Sequence, residues 1–173
     1  MYKNISQFEN TTDYLPILNA ALLTDLIFIF FLIFGVIHSI KLEEWYRKYT
    51  IAAVIEDVLI LVIGILLARF FYKPIFGEKF SLIKFTVLAV FIQIIHDILF
   101  YLFFTLIPKG KNKMMDTFKE YSREIGFRAI IADSCMMMLT AILSSCFSYW
   151  NFNSNIITLI LIIYLIPYAI YTF

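Results

Sequence analysis

Five long apolar segments, separated by short polar stretches, dominate the hydrophobic pattern of the chain. Most are 20 or more residues long, which is the length that an α-helix needs to cross the hydrocarbon core of a bilayer. The pattern predicts transmembrane helices at about residues 15–40, 51–72, 82–107, 129–150 and 156–173. Aromatic residues near the segment ends, such as Trp45, Tyr46 and Trp150, are typical of an interfacial belt. We therefore expect an all-α membrane protein that forms a single transmembrane domain over residues 1–173.

The loop between the third and fourth segments has a different pattern. Apolar residues recur there at helical spacing, with charged residues on the other side; the apolar set is Met114, Met115, Phe118, Tyr121 and Ile125. This pattern predicts a short amphipathic helix lying on the membrane surface, near anionic lipid head groups. The basic residues expected to face those head groups are Lys109, Lys111, Lys113, Lys119 and Arg123. An ordinary solvated connector is the alternative.

Composition and charge narrow the class of protein. With 62% hydrophobic residues and a mean hydropathy of +0.86, the chain is too apolar to cover its own surface in water. The formal net charge of +1 argues against a nucleic-acid partner. Nine Lys and Arg residues lie in the first and third loops and five in the N-terminal and second-loop regions. The positive-inside rule then places the N-terminus outside and the C-terminus in the cytoplasm, and two glycosylation sequons, at Asn4 and Asn10, agree.

Five carboxylates lie inside the predicted spans: Asp25, Glu56, Asp57, Asp97 and Asp133. The Lys and Arg residues nearest to them, including Arg69, are placed at span ends. An ionised Asp at the centre of a spanning helix costs about 2.5 to 3.5 kcal/mol. We expect protonation, mutual hydrogen bonds, a bound cation, a hydrated path or bases of a partner chain to relieve this cost.

Helical spacing predicts that the acids face protein. On the fourth span, a polar stripe runs through Asp133, Thr140, Ser144 and Ser148, and on the second span Gly64 and Ala68 allow close approach of another helix. The first four spans are therefore predicted to form a bundle with a polar, acidic interior, while the fifth faces lipid or a neighbouring subunit. The candidate core residues are Asp25, Glu56, Asp57, Gln93, His96, Asp97, Asp133, Thr140 and Ser144. For any one acid, a purely structural role as a protonated group joining helices is the alternative.

Three classes of function stay open at this point. The leading hypothesis is a channel or transporter for protons or small cations, since acids outnumber bases at mid-membrane depth. The second is a scaffold or assembly protein whose acids pair with another membrane chain. The third is a lipid-modifying enzyme, which the sequence disfavours because it contains no HExxH, CxxC or nucleophile motif. No catalytic residue, metal or cofactor is predicted, and a homo-oligomer or membrane partner is expected.

Two stretches, residues 108–126 and 132–138, resemble parts of uncharacterised multi-pass membrane proteins of large double-stranded DNA viruses. A composition rich in Ile, Phe, Lys, Asn and Tyr fits such a source. The resemblance implies a viral or host endomembrane location. It carries no activity and no catalytic residues.

Overall fold

The computed structural model describes residues 2–173, which fold into α-helices without a β-strand. The helices are α1 (Tyr14–Ile33), α2 (Ile40–Tyr49), α3 (Ile51–Phe76), α4 (Leu82–Leu106), α5 (Lys113–Ile125), α6 (Arg128–Phe147) and α7 (Phe152–Ile170). A 3₁₀ turn, Thr11–Asp13, precedes α1. Five helices, α1 with its 3₁₀ turn, α3, α4, α6 and α7, are long and apolar enough to cross a membrane. The prediction of five membrane-spanning helices is confirmed by the length and composition of these helices.

The first span is shorter than its apolar run. We predicted a helix over residues 15–40, but α1 ends at Ile33. Gly35 adopts a left-handed conformation with φ +68°, and the N–H groups of Val36 and Ile37 donate to the Phe31 carbonyl. This is the usual way in which glycine stops a helix. The prediction of a continuous helix to residue 40 is therefore wrong, and α2 begins only after Ser39, whose hydroxyl accepts a hydrogen bond from Leu42 N–H.

The segment between the first two spans folds back onto the second. Thr50 joins α2 to α3 with φ +47°, a conformation that side-chain-bearing residues rarely adopt. This turn carries Trp45 and Tyr46 inward, and both are buried, with 4% and 3% of their surface exposed. The sequence pattern predicted these rings in an interfacial belt and did not predict their burial, which arises because the turn at Thr50 folds α2 against α3.

The spanning helices pack in a closed circuit, in which α1 contacts α3 and α6, and α4 contacts the same two helices from the other side. At Gly64 of α3, the Met137 side chain of α6 occupies the space that a Cβ would take. The small residue predicted to admit a neighbouring helix therefore admits a side chain of α6. Helix α7 packs on α1 and buries Ile162 and Ile166, while its other side is exposed.

Helices α2 and α5 contact each other at one end of the spanning helices, which we call the α2–α5 end. The opposite end, called the N-terminal end, holds the N-terminal segment, whose Lys3 N–H donates to the Ser145 carbonyl. The predicted helix in the third loop is present as α5, and its apolar side packs on protein. The Phe118 ring lies 4.7 Å from Trp45 and 5.0 Å from Phe100, measured between ring centroids.

Candidate functional site

The Tyr46 hydroxyl of α2 lies between two carboxylates that belong to different spanning helices. Its oxygen is 3.0 Å from Asp25 Oδ1 on α1 and 2.9 Å from Asp57 Oδ2 on α3. Trp45 Nε1 also donates to Asp57 Oδ2, at 3.3 Å. Asp25 has no exposed surface. The turn at Thr50 is what brings these groups together, because it places α2 against both helices.

The number of protons limits how this triad is bonded. A tyrosine hydroxyl has one hydrogen to donate, and an ionised carboxylate has none. Two ionised carboxylates would therefore leave one of the two short contacts without a hydrogen. Both contacts become hydrogen bonds when Asp25 and Asp57 share one proton, so that one carboxyl donates to Tyr46 and Tyr46 donates to the other.

Tyr46 itself stays protonated. Burial raises the pKa of its hydroxyl well above the usual value of 10.0, and the carboxylates of Asp25 and Asp57 raise it further. The hydroxyl therefore keeps its hydrogen throughout the physiological pH range. Tyr46 acts in this site as a neutral donor and acceptor between the two acids.

A second group of polar side chains lies on one side of α4. Gln93 Nε2 donates to Asp97 Oδ1 at 2.7 Å, and His96 Nδ1 lies 3.2 Å from the same oxygen. Helical spacing left the contact between the neighbours His96 and Asp97 open, and the structure contains it. Gln93 Oε1 and Asp97 Oδ2 are buried and have no hydrogen-bond partner among residues 2–173.

Asp133 of α6 and Phe118 of α5 both line three adjoining cavities at the α2–α5 end, with volumes of about 260, 280 and 460 Å³. The 260 Å³ cavity also contains Asp57 and Arg128. The 280 Å³ cavity is lined by Glu56, Asp57, Leu59, Ile60, Leu61, Ile63, Gln93, His96, Asp97, Phe100, Phe118, Asp133 and Met136. All four acids of this cavity were predicted site residues. The side chain of Glu56 is exposed, however, at the outer edge of the group.

Thr140 and Ser144, also predicted as core residues, lie deeper along α6 on the side that contacts α1. Both are fully buried, and Thr140 Oγ1 donates to Thr24 Oγ1 at 3.0 Å. Ser144 Oγ has no partner in the described part of the chain. Thr24 precedes Asp25 directly, so these hydroxyls continue a line of polar side chains from Asp25 toward the N-terminal end.

The sequence analysis missed a buried ion pair at the N-terminal end. Arg69 of α3 is 1% exposed, and its Nη2 lies 3.6 Å from Asp13 Oδ2. Arg69 was placed at a span end, and it lies at the N-terminal end of the spanning helices. Its burial was not predicted and arises because the N-terminal segment folds over it. In that segment Asn10 Nδ2 donates to Asp13 and Asn4 Oδ1 accepts from Ser6 N–H, so the asparagines of both sequons are bonded within the fold.

The basic residues predicted to meet lipid head groups have different surroundings. Lys119 donates to the Ile107 carbonyl at the end of α4, and Lys109 Nζ lies 3.9 Å from Glu120. Lys111, Lys113 and Arg123 are exposed. Lys109 is exposed as well, so four of the five side chains are open to a charged surface.

Comparison with known proteins gives no family model, no curated protein and no solved structure that matches the chain. The resemblance to viral membrane proteins stays a prediction. The acids share cavities without converging, and within residues 2–173 no three His, Cys, Asp or Glu side chains are placed to hold one metal ion. The chemistry that the arrangement favours is proton exchange between carboxyl groups and a hydroxyl.

Proposed function

We propose that this chain is a membrane transport protein that moves protons through the interior of its first four spanning helices. The observation that carries the proposal is the Tyr46 hydroxyl within hydrogen-bonding distance of both Asp25 and Asp57. Buried acids inside membrane helices are costly and are found where protons or ions are handled. The triad joins two such acids through a group that can pass a proton.

The relay step at the triad conserves protons and charge. With Asp25 protonated and Asp57 ionised, the Asp25 proton passes to Tyr46 Oη while the Tyr46 proton passes to Asp57. Tyr46 is neutral before and after, and one proton has moved from α1 to α3. Small rotations of the hydroxyl and carboxyl groups then reset the direction of the hydrogen bonds.

Polar groups continue from the triad toward both ends. At the α2–α5 end, Asp57 shares cavities with Asp97 and Asp133, and His96 lies beside Asp97. Toward the N-terminal end, the buried hydroxyls of Thr24, Thr140 and Ser144 follow Asp25. This order supports a path with two parts. Water enters the cavities at the α2–α5 end, and hydroxyl groups, together with transient water, carry the proton between Asp25 and the N-terminal end. Small inorganic cations are the alternative cargo.

The proposed orientation puts the N-terminus outside and the α2–α5 end in the cytoplasm, as the distribution of basic residues predicts. In this orientation α5 lies at the depth of the cytoplasmic head groups. Its apolar side packs on the bundle, while Lys111, Lys113 and Arg123 face anionic lipids. A viral or host endomembrane is the proposed location, on the strength of the sequence resemblance alone.

A role as a membrane scaffold is the second candidate, and one observation favours it. Glu56 lies in α3 with its side chain exposed, about one and a half turns from the start of a membrane-spanning helix. An acid in that position is stabilised by a base from a second copy of this chain or from another membrane protein. The scaffold therefore predicts a partner that is lost when Glu56 is replaced by Gln.

Proton flux into liposomes tests the leading proposal. The purified full-length chain is reconstituted with an internal pH-sensitive dye, and a K⁺ gradient with valinomycin drives proton entry. We expect flux above that of empty liposomes, reduced at least tenfold by Asp57→Asn and by Asp25→Asn. Glu78→Gln is the matched control, since Glu78 is exposed and pairs only with Lys73 in the described chain. Wild-type flux equal to that of empty liposomes contradicts the proposal, as does unchanged flux in both Asp variants.

A further inference from the structure

Two adjoining cavities at the α2–α5 end form one site with a polar half and an apolar half. They share Asp97, Phe100, Phe118 and Asp133, and their volumes are about 280 and 460 Å³. The smaller half holds the carboxylates of Glu56 and Asp57. The larger half has mainly apolar walls, and its aromatic residues are Phe100, Tyr101, Phe104, Phe118, Tyr121 and Phe127.

The polar half is built of hydrogen-bond acceptors. Gln93 is 3% exposed and lines the cavity, yet its Oε1 has no hydrogen-bond partner in the described chain. Asp97 Oδ2 is buried and equally without a partner among residues 2–173. Buried polar atoms in folded proteins are normally bonded, so these two unpaired oxygens create a region of negative potential beside the cavity that favours a positive group from outside the chain.

The charge and shape of the site indicate which class of ligand it binds. Carboxylate and amide oxygens attract a positive group, and aromatic faces attract cations as well as apolar bodies. The acidic side chains are too dispersed for three of them to share one metal ion, as judged over the described residues. A cation large enough to reach both halves satisfies the same groups without close convergence.

We infer that the joined cavities bind a lipophilic organic cation, a protonated amine or onium ion carried by an aromatic or alkyl body. The cationic centre lies between Asp97 and Asp133, and the apolar body occupies the aromatic half. This inference goes beyond the proposed function, because binding at Asp97 and Asp133 requires no proton transfer through Tyr46.

Two ions of nearly the same shape and opposite charge provide the test. Tetraphenylphosphonium and tetraphenylborate are titrated separately into the detergent-solubilised full-length chain, and binding is measured by calorimetry. We expect saturable binding of tetraphenylphosphonium and none of tetraphenylborate. Asp97→Asn and Asp133→Asn are each expected to weaken the binding of tetraphenylphosphonium at least tenfold, whereas Glu78→Gln leaves it unchanged.

A cavity-filling variant keeps the test decisive if an Asp variant fails to fold. Ala129 lines the 460 Å³ half, so Ala129→Phe places a phenyl ring in that half, reduces the space for a ligand body and retains every carboxylate. We expect it to reduce tetraphenylphosphonium binding at least tenfold. Equal binding of the two ions by the wild type, or full binding by Ala129→Phe, overturns the inference. Tyr46→Phe separates the two proposals, since it is expected to retain cation binding and lose proton flux.

Discussion

Arg69 Nη2 on α3 lies 3.6 Å from Asp13 Oδ2, and neither side chain has any exposed surface. Arg69 also donates to the backbone carbonyls of Gln7 and Asn10. Lys3 Nζ lies 3.1 Å from the other Asp13 oxygen. These contacts fix the N-terminal segment over the ends of the spanning helices, so that the chain is closed at this end by its own first residues.

Replacing Asp13 by Ala is expected to destabilise the protein strongly, because a guanidinium then stays buried without its countercharge. Breaking a buried pair in this way costs about 3 to 5 kcal/mol. Thermal unfolding of the detergent-solubilised chain measures the loss. Glu9→Gln is the control, since Glu9 lies in the same segment and is exposed. The double variant Asp13→Leu with Arg69→Met should recover much of the loss, and equal stability of Asp13→Ala and wild type contradicts the prediction.

Tyr46→Phe should abolish the proposed proton transfer between Asp25 and Asp57, because it removes the hydroxyl and keeps the ring. We expect proton flux in liposomes to fall at least tenfold, and the free energy of unfolding to fall by about 1 to 3 kcal/mol because Asp25 is left without a hydrogen-bond partner. Tyr49→Phe is the matched control on the same helix, since its hydroxyl contacts only Thr117, at 2.9 Å, within the described chain. Wild-type flux in Tyr46→Phe rules out the relay.

Thr50→Gly is expected to stabilise the turn between α2 and α3. Thr50 has φ +47° and ψ −119°, which is unfavourable for a residue with a branched side chain and accessible to glycine. Relief of strain of this kind is worth about 1 kcal/mol or more, partly offset by the greater freedom of glycine in the unfolded chain. A higher unfolding temperature is the expected result. A lower one would show that the Thr50 side chain contributes more than its conformation costs.

Acid should loosen α5 from α2. Hydrogen bonds from Lys41 of α2, followed by its charge, lower the pKa of Glu120 on α5 below the usual 4.5, and they do the same for Glu44 within α2 itself. Because these pKa values are lower in the folded chain, the stabilisation is complete above pH 4.5 and is lost as the pH falls through the lowered values. Hydrogen exchange of α5 amides, normalised to unfolded rates, should therefore increase only below about pH 4.5.

Glu120→Gln should raise the hydrogen-exchange rate of the α5 amides at neutral pH. The further increase of this rate in acid should then be smaller than in the wild type. The effect is expected to be modest and to shrink in high salt, since the pair is partly exposed. Glu43→Gln serves as its control, because Glu43 lies exposed on α2. Acid-independent exchange in the wild type contradicts this assignment of the contact.

The pattern of the sequence was enough to predict the five spanning helices, because the length of an apolar run reports directly on its fit to a bilayer. It did not predict the burial of Trp45 and Tyr46, since lipid and protein interior are equally apolar and hydrophobicity alone does not distinguish them. The partner of Arg69 lies 56 positions earlier in the chain, and only the folded arrangement reveals it. Gly35 was the available signal for the early end of α1.

The order of synthesis gives the Tyr46 contact a further consequence. Asp25 emerges from the ribosome with α1, whereas Tyr46 follows 21 residues later and reaches Asp25 only after α2 has turned back. During this interval the first helix carries an acid with no hydroxyl beside it, and a lone acid weakens insertion into the membrane. The hydrogen bond that satisfies Asp25 is therefore completed only after the helix that follows the first span has been made.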